Sequence, residues 1–298
     1  MKNNILVAGA TGNLGGRICR ELIQSGAAVS AIVRITTDPA KVESLRTLGV
    51  EVKVIDMNNI DEIASACEGI DCVVSALAGL ADVIVDLQTR LLDGAIKAGV
   101  SRFIPSDFCT DYNSLESGAN RNFDLRKTFK AYLDGTAVRA TSIFNGAFAD
   151  ILKYNTPVLN LKDQSIGYWG EKANWKLDFT TMDNTAAFTA MAALDENAPR
   201  DLQVASFQVS PDDLNDLVLE ISGHSFNLKH MSSMEDFAAY IKIQRSNDPA
   251  GEHELYAKWQ QSQYMYCMFS THHRQLANGR YTGIEWTTAK TYLETFVR

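Results

Sequence analysis

A metal-binding pattern is the first thing this 298-residue sequence lacks. Cys19, Cys67, Cys72, Cys109 and Cys267 are scattered, with no CxxC pair and no histidines at zinc-ligand spacing. Reduced thiols and no metal site are expected. No apolar run approaches the length needed to span a bilayer, and the N-terminus lacks the charged-then-apolar pattern of a signal peptide. A soluble, cytoplasmic chain with no membrane partner is expected. Basic charge is in deficit too: 28 Lys and Arg against 36 Asp and Glu leave a net charge of −8. That charge opposes nucleic-acid phosphates, and no local basic patch offsets it, so no nucleic-acid partner is expected. Repeats and low-complexity linkers are absent. The length suits one large domain or two small ones with a substantial core.

What is present begins at the N-terminus. Asn4-Ile5-Leu6-Val7-Ala8 reads as an apolar strand that runs into Gly9-Ala10-Thr11-Gly12-Asn13-Leu14-Gly15 and then a helix. This is the pattern of a nucleotide-phosphate cradle. Gly9 can adopt the angles of a tight turn, Gly12 lets the main chain approach a pyrophosphate, and Gly15 lets the helix pack close to the strand. Free N–H groups at the helix start would face the phosphates. The spacing is GxxGxxG, which points to the short-chain dehydrogenase branch of dinucleotide folds.

Apolar strands then alternate with helical patterns. Strands are predicted at Ala28–Val33, Val50–Ile55, Ile70–Leu77, Arg102–Pro105 and Ala137–Ile143, and helices at Pro39–Leu48, Ile60–Cys67, Val83–Ala98 and Phe123–Leu133. This order specifies an α/β, Rossmann-type, doubly wound parallel sheet. Ligands on such sheets bind beyond the C-terminal strand ends, which singles out Arg34, Ser75, Ala76, Leu77, Pro105, Ser106, Asp107 and Phe108. Asp107 could alternatively cap its loop. Arg34 closes the second strand, 19 residues after Gly15, where an acidic residue would bind the ribose of NAD. A guanidinium there suits a 2′-phosphate, with Thr36 and Thr37 adding hydroxyls, so the expected cofactor is NADP.

Three segments carry a family resemblance: Gly9 to Arg17, Ala31 to Leu45, and Gly94-Ala95-Ile96-Lys97-Ala98-Gly99-Val100-Ser101-Arg102-Phe103-Ile104-Pro105-Ser106-Asp107-Phe108. With Phe144 to Phe148, Asp178 to Ala186 and Trp259 to Phe269, they make the chain similar to NmrA-like and isoflavone-reductase-like atypical short-chain dehydrogenases over nearly its full length. The resemblance implies an NADP-binding Rossmann domain and a smaller C-terminal domain, with a small-molecule substrate held between them. It implies either an NADPH-dependent reductase of an aromatic, quinone or conjugated carbonyl substrate, or a non-catalytic NADP(H) redox sensor. Reductases of this kind carry a lysine on the helix after the Pro-Ser-Asp-Phe segment, and that position here is Arg126. Arginine can orient an oxygen but cannot accept a proton. Lys127 lies about 100° around the helix and would serve only if the helix were rotated. Lys130 would have to reach back one turn.

The second half departs from simple alternation, and the chain reads as residues 1–150 and 151–298, partly interleaved. A helix is expected at Asn184–Leu194, a strand at Leu202–Val209 and a helix start at Ser210-Pro211-Asp212-Asp213. The short-chain Tyr-x-x-x-Lys signature is missing from its usual place. Tyr168 to Lys172 fits the letters, but Gly170 makes a poor helix interior, so the match is read as coincidence, with Lys172 still able to reach a ligand from a loop. Cys109 has no histidine near it in sequence and is read as packing. Trp259 to Phe269 suits either the wall of an aromatic pocket or a helix core. His272 and His273 would point about 100° apart on a helix and are not expected to share a metal.

Overall fold

The computed structural model describes residues 3–298. Its first half runs β1 (Asn4–Ala8), α1 (Asn13–Gln24), β2 (Ala28–Val33), α2 (Pro39–Thr47), β3 (Glu51–Val54), α3 (Ile60–Ala66), β4 (Cys72–Ser75), α4 (Gln88–Lys97), β5 (Arg102–Ile104), α5 (Arg121–Asp134) and β6 (Arg139–Ala140). The six strands form one sheet in the order β3-β2-β1-β4-β5-β6, parallel throughout. Side chains alternate across it. Ile5 and Val7 enter one core with Ile18, Leu22 and Val74, whereas Leu6 and Ala8 enter another with Ile63, Leu91, Val73 and Phe129. A strand covered on both faces therefore reads as an unbroken apolar run.

The chain continues through β7 (Ser142–Phe144), β8 (Ala147–Phe148), β9 (Ser165–Trp169), β10 (Leu177–Thr180), α6 (Met182–Leu194), β11 (Asp201–Gln203) and β12 (Phe207–Val209). It ends with α7 (Pro211–Ser222), β13 (Asn227–Ser232), α8 (Met234–Ser246), α9 (Lys258–Ser270) and α10 (Ala289–Leu293). Two predicted strands are broken. Ala137–Ile143 changes partners at Thr141, so β6 pairs with β5 while β7 pairs with β11. Leu202–Val209 splits into β11 and β12 because the Asn278 side chain takes both backbone groups of Ala205, at 3.3 and 2.7 Å. Its amide thereby replaces a ladder partner. The helix predicted from Val83 starts with a π-helical segment, Asp82–Leu87, before α4.

Several late elements return to the first sheet. Ala186 and Phe188 of α6 and Leu202 of β11 lie in the core that holds Ile5, and Arg17 of α1 is ion-paired to Asp183 of α6. A separate core around Leu152, Phe179, Leu214 and Leu293 holds β9, β10, β12 and α7 to α10. Ser210 caps α7 in a reciprocal pair with Asp213, with Pro211 in the first turn. Among the described residues no helix is long and apolar enough to cross a membrane.

A buried pair joins β10 to the segment after α9. Asp178 accepts from the His273 backbone N–H at 2.7 Å and from Gln208 Nε2 at 2.6 Å, and the His273 ring sits 3.8 Å from the same carboxylate. Burial lowers the proton affinity of that imidazole from its ordinary 6.5, with Asp178 and Asp111 acting the other way. The unfolded chain then binds the proton more readily, so stability present above pH 6.5 is lost as pH falls below that value. We expect His273→Gln to flatten this acid limb. Melting temperatures measured from neutral to mildly acidic pH should fall more steeply for the wild type, and parallel curves would assign the acid limb to other groups.

Candidate functional site

The glycine turn is shaped by backbone contacts on two sides. Gly9 has φ +83°, and a Cβ on it would run into the carbonyl of Ala76 just beyond β4. A Cβ on Gly15 would run into the Gly9 carbonyl, so its absence is what lets α1 rest on the turn. Gly12 differs. It is exposed, lies at φ −79° as the N-cap of α1, and a Cβ there would approach only the Gly9 carbonyl, at 3.2 Å. The protein thus leaves open the space above Gly12. No side chain caps the helix start, Thr11 is half-buried, Leu14 packs on the core, and Asn13 holds Arg17 at 3.0 Å.

Arg34 is exposed just after β2. It lines a cleft of about 770 Å³ with Ile35, Thr36, Asp56, Met57 and Arg90. Arg90 is a second cation that the sequence reading passed over. Its Nε is enclosed without a hydrogen-bond partner among the described residues. The signal for it was a basic residue directly before the apolar positions Leu91 and Leu92, in the predicted helix Val83–Ala98.

The ends of β4 and β5 are tied together by Ser106. Its hydroxyl donates to Leu77 O at 2.5 Å, its backbone N–H donates to Gln88 Oε1 at 2.9 Å, and its carbonyl accepts from Arg126 Nε at 3.0 Å. Ala76 extends the β1 ladder by donating to Ala8 O at 2.8 Å, while the Ser75 hydroxyl is buried without a partner among the described residues. Arg126 is held a second time, by Nη1 on Asn122 O at 2.9 Å. Nη2 has no partner among the described residues and is the free corner of a fixed fork.

The other basic residues of α5 point elsewhere. Lys127 Nζ donates to Leu115 O at 2.5 Å, and Lys130 pairs with Asp134 at 2.8 Å. The helix is not rotated in the way Lys127 would require, so of the two expected groups only Arg126 meets the strand ends. Asp107 faces inward, accepting from Ser142 Oγ at 2.7 Å, which in turn accepts from Arg200 Nη1 at 2.6 Å. Burial raises its proton affinity, opposed by the Ser142 hydrogen bond and the Arg126 charge. Asp107 therefore supports the loop from below rather than lining it. Pro105 and Phe108 are likewise buried, Phe108 in the first core. Cys109 is enclosed with Tyr112, Phe123, Phe144 and Cys267, and burial pushes its thiol far up, so it carries no thiolate.

Tyr168 lies in strand β9, and Gly170 follows at φ +78°, so Tyr168 and Lys172 share no helix face. The segment Trp259 to Phe269 is mostly core. Met268 and Phe269 enter the second core, the guanidinium groups of Arg121 and Arg245 both lie over the Trp259 ring at 4.8 and 4.7 Å, Gln263 Oε1 accepts from the Arg121 N–H at the start of α5, and Gln260 Nε2 donates to the N-cap Asn120. Tyr264 packs at the edge of the Cys109 and Phe144 cluster and also makes a polar contact with α5. Its Oη accepts from Asn122 Nδ2 at 2.9 Å, which brings it beside Arg126.

The model of the NmrA-like family matches residues 1–217. Over 207 residues the chain is 28% identical to isoflavone reductase homolog P3 of Arabidopsis thaliana, covering 65% of this chain and 66% of that protein. It is 27% identical over 225 residues to a probable pinoresinol-lariciresinol reductase 3 of the same plant, covering 73% and 72%. The chain thus spans about two thirds of the length of these curated relatives. A solved structure of AtPrR2 with NADP+ and (+)pinoresinol matches with a TM-score of 0.82 at 23% identity, over 100% of this chain and 99% of that one. The likeness extends to the whole α/β fold.

The buried Gly15 and the exposed Gly12 should separate on substitution. Gly15→Ala forces backbone apart and should cost about 1–3 kcal/mol of stability, whereas Gly12→Ala, with no such clash, should cost clearly less. Chemical denaturation of both variants checks this, and equal losses would contradict the assigned contacts.

Proposed function

We propose, for a chain that belongs to the NmrA-like family, the activity of an NADPH-dependent reductase acting on a small aromatic, quinone or conjugated carbonyl-type substrate. The observation that carries this reading is Arg126, a guanidinium clamped by Ser106 O and Asn122 O with Nη2 free, at the strand ends where a nicotinamide would lie. A donor fixed there suits an oxygen that gains negative charge as hydride arrives.

The residues fit NADPH. The open space over Gly12, the uncapped start of α1 and the turn at Gly9 and Thr11 suit a pyrophosphate, with Asn13, Leu14 and Gly15 forming the first helical turn. Arg34, with Thr36 beside it in the cleft, suits the 2′-phosphate. Ser75, Ala76, Leu77, Pro105 and Ser106 form the floor at the nicotinamide end, and Asp107 and Phe108 brace them. When bound, NADPH supplies the hydride. Arg126 Nη2 donates to the substrate oxygen, orienting it and stabilising the negative charge that builds there. Because the guanidinium stays protonated, this work needs no titration near neutral pH.

Arg34→Ala should weaken NADPH binding by about ten- to a hundred-fold and leave NADH affinity nearly unchanged, as measured by titration calorimetry. Equal NADPH and NADH affinities in the unmodified protein would sink the cofactor assignment. Gly12→Val should remain folded yet gain no thermal stabilisation from NADPH. With a panel of quinones, enones and aromatic carbonyls, Arg126→Ala should slow single-turnover NADPH oxidation about a hundred-fold. Arg126→Lys should retain part of the rate. NADPH that stays unoxidised with every acceptor would favour a redox sensor.

A further inference from the structure

Arg126 cannot release a proton, yet reduction of a carbonyl leaves an oxygen that must gain one. The lysines of α5 are committed, Lys127 to Leu115 O and Lys130 to Asp134, and the Ser106 hydroxyl already donates to Leu77 O. The Ser75 and Tyr112 hydroxyls are sealed from solvent. The Cys109 thiol is likewise enclosed, so among the described residues near Arg126 the uncommitted acidic hydrogen on a side chain that is not fully buried belongs to Tyr264.

Asn122 holds both groups. It stands one turn before Arg126 on α5, its carbonyl accepts from Arg126 Nη1, and its side-chain amide donates to Tyr264 Oη at 2.9 Å. Since the amide is the donor in that bond, the phenol keeps its own O–H, which has no acceptor among the described residues. The ring is fixed edge-on against Phe123, with centroids 5.3 Å apart. Its placement next to a permanent cation favours the tyrosinate left after transfer. Tyr264 as a whole is only partly buried, and the tyrosinate regains its proton from water once the product has left.

We propose that Tyr264 is the proton donor to the substrate oxygen, an assignment that rests on the reductase reading above. As hydride from NADPH forms the new C–H bond, the C=O π pair moves onto oxygen. The Tyr264 O–H bond then breaks and the product O–H forms. The products are an alcohol, NADP+ and a tyrosinate that takes a proton from water. Burial raises the proton affinity of the Tyr264 phenol, so it enters the reaction protonated throughout the neutral range.

Tyr264→Phe tests this cleanly, because the ring contact with Phe123 is kept and Asn122 Nδ2 retains Leu255 O at 3.2 Å. Its melting temperature and NADP+ affinity should match the wild type. Single-turnover NADPH oxidation should fall about a hundred-fold, the scale of a lost general acid. Binding of 4-nitrobenzaldehyde to the NADP+ complex, read by calorimetry, should weaken by up to about tenfold, the value of one hydrogen bond. The wild-type rate should be level through neutral pH and decline only in the alkaline range where a phenol ionises, and the residual rate of the variant should lack that decline. A purely structural tyrosine would not produce such a difference in pH profile. If the wild type oxidises NADPH and Tyr264→Phe is as fast, the donor role is overturned while the reductase reading stands. If the wild type transfers no hydride to any acceptor, the reductase reading fails and the donor role falls with it.

Discussion

Three backbones meet where Gly9, Gly15 and Ala76 come together, and everything near the site depends on the room left by two missing Cβ atoms. Side chains at Gly9 or Gly15 would push β4 or α1 away from the turn. That would displace the Ser75–Leu77 strand end, and with it the Leu77 carbonyl that receives Ser106. Ser106 in turn holds Arg126 through its own carbonyl. The glycine turn and the guanidinium, more than a hundred residues apart in sequence, are thus joined by one run of main-chain contacts and two hydrogen bonds.

The sheet was legible because parallel strands covered on both faces are written as continuous apolar runs, as β1, β2 and β4 are, while the edge strand β3 reads instead as an alternation with Glu51 and Lys53. Breaks inside runs were not legible. Thr141 and Ala205 interrupt segments that look uniform, because the cause in each case is a partner far along the chain: β11 beside β7 in one, the Asn278 side chain in the other. Local apolar pattern carries no information about such partners.

The candidate site divides in the same way. Gly9, Gly15 and Arg34 were singled out by spacing, and Arg126 by the family resemblance. The choice between Arg126 and Lys127 could not, because it depends on 100° of helix phase, which only the packed orientation of α5 decides. Tyr264 was visible merely as one aromatic in a mixed helix. Its placement follows from a hydrogen bond to a residue 142 positions earlier, and neighbouring Trp259, Met268 and Phe269 serve the core. Asp107 has the residue type of a site group, yet the buried Ser142 hydroxyl, itself held by Arg200, turns it inward.

In the proposed reading, an uncommitted guanidinium corner and an uncommitted phenol proton, both held by Asn122, would polarise an oxygen and then protonate it. Their value depends on a hydride arriving at the adjacent carbon. The most direct measurement is to supply NADPH stereospecifically deuterated at C4, with an aromatic or conjugated carbonyl acceptor, and to locate the label by mass spectrometry. The account predicts one deuterium on the reduced carbon of the product, delivered from one face of the cofactor only. Unlabelled product, or NADPH that stays intact with every acceptor, would contradict it.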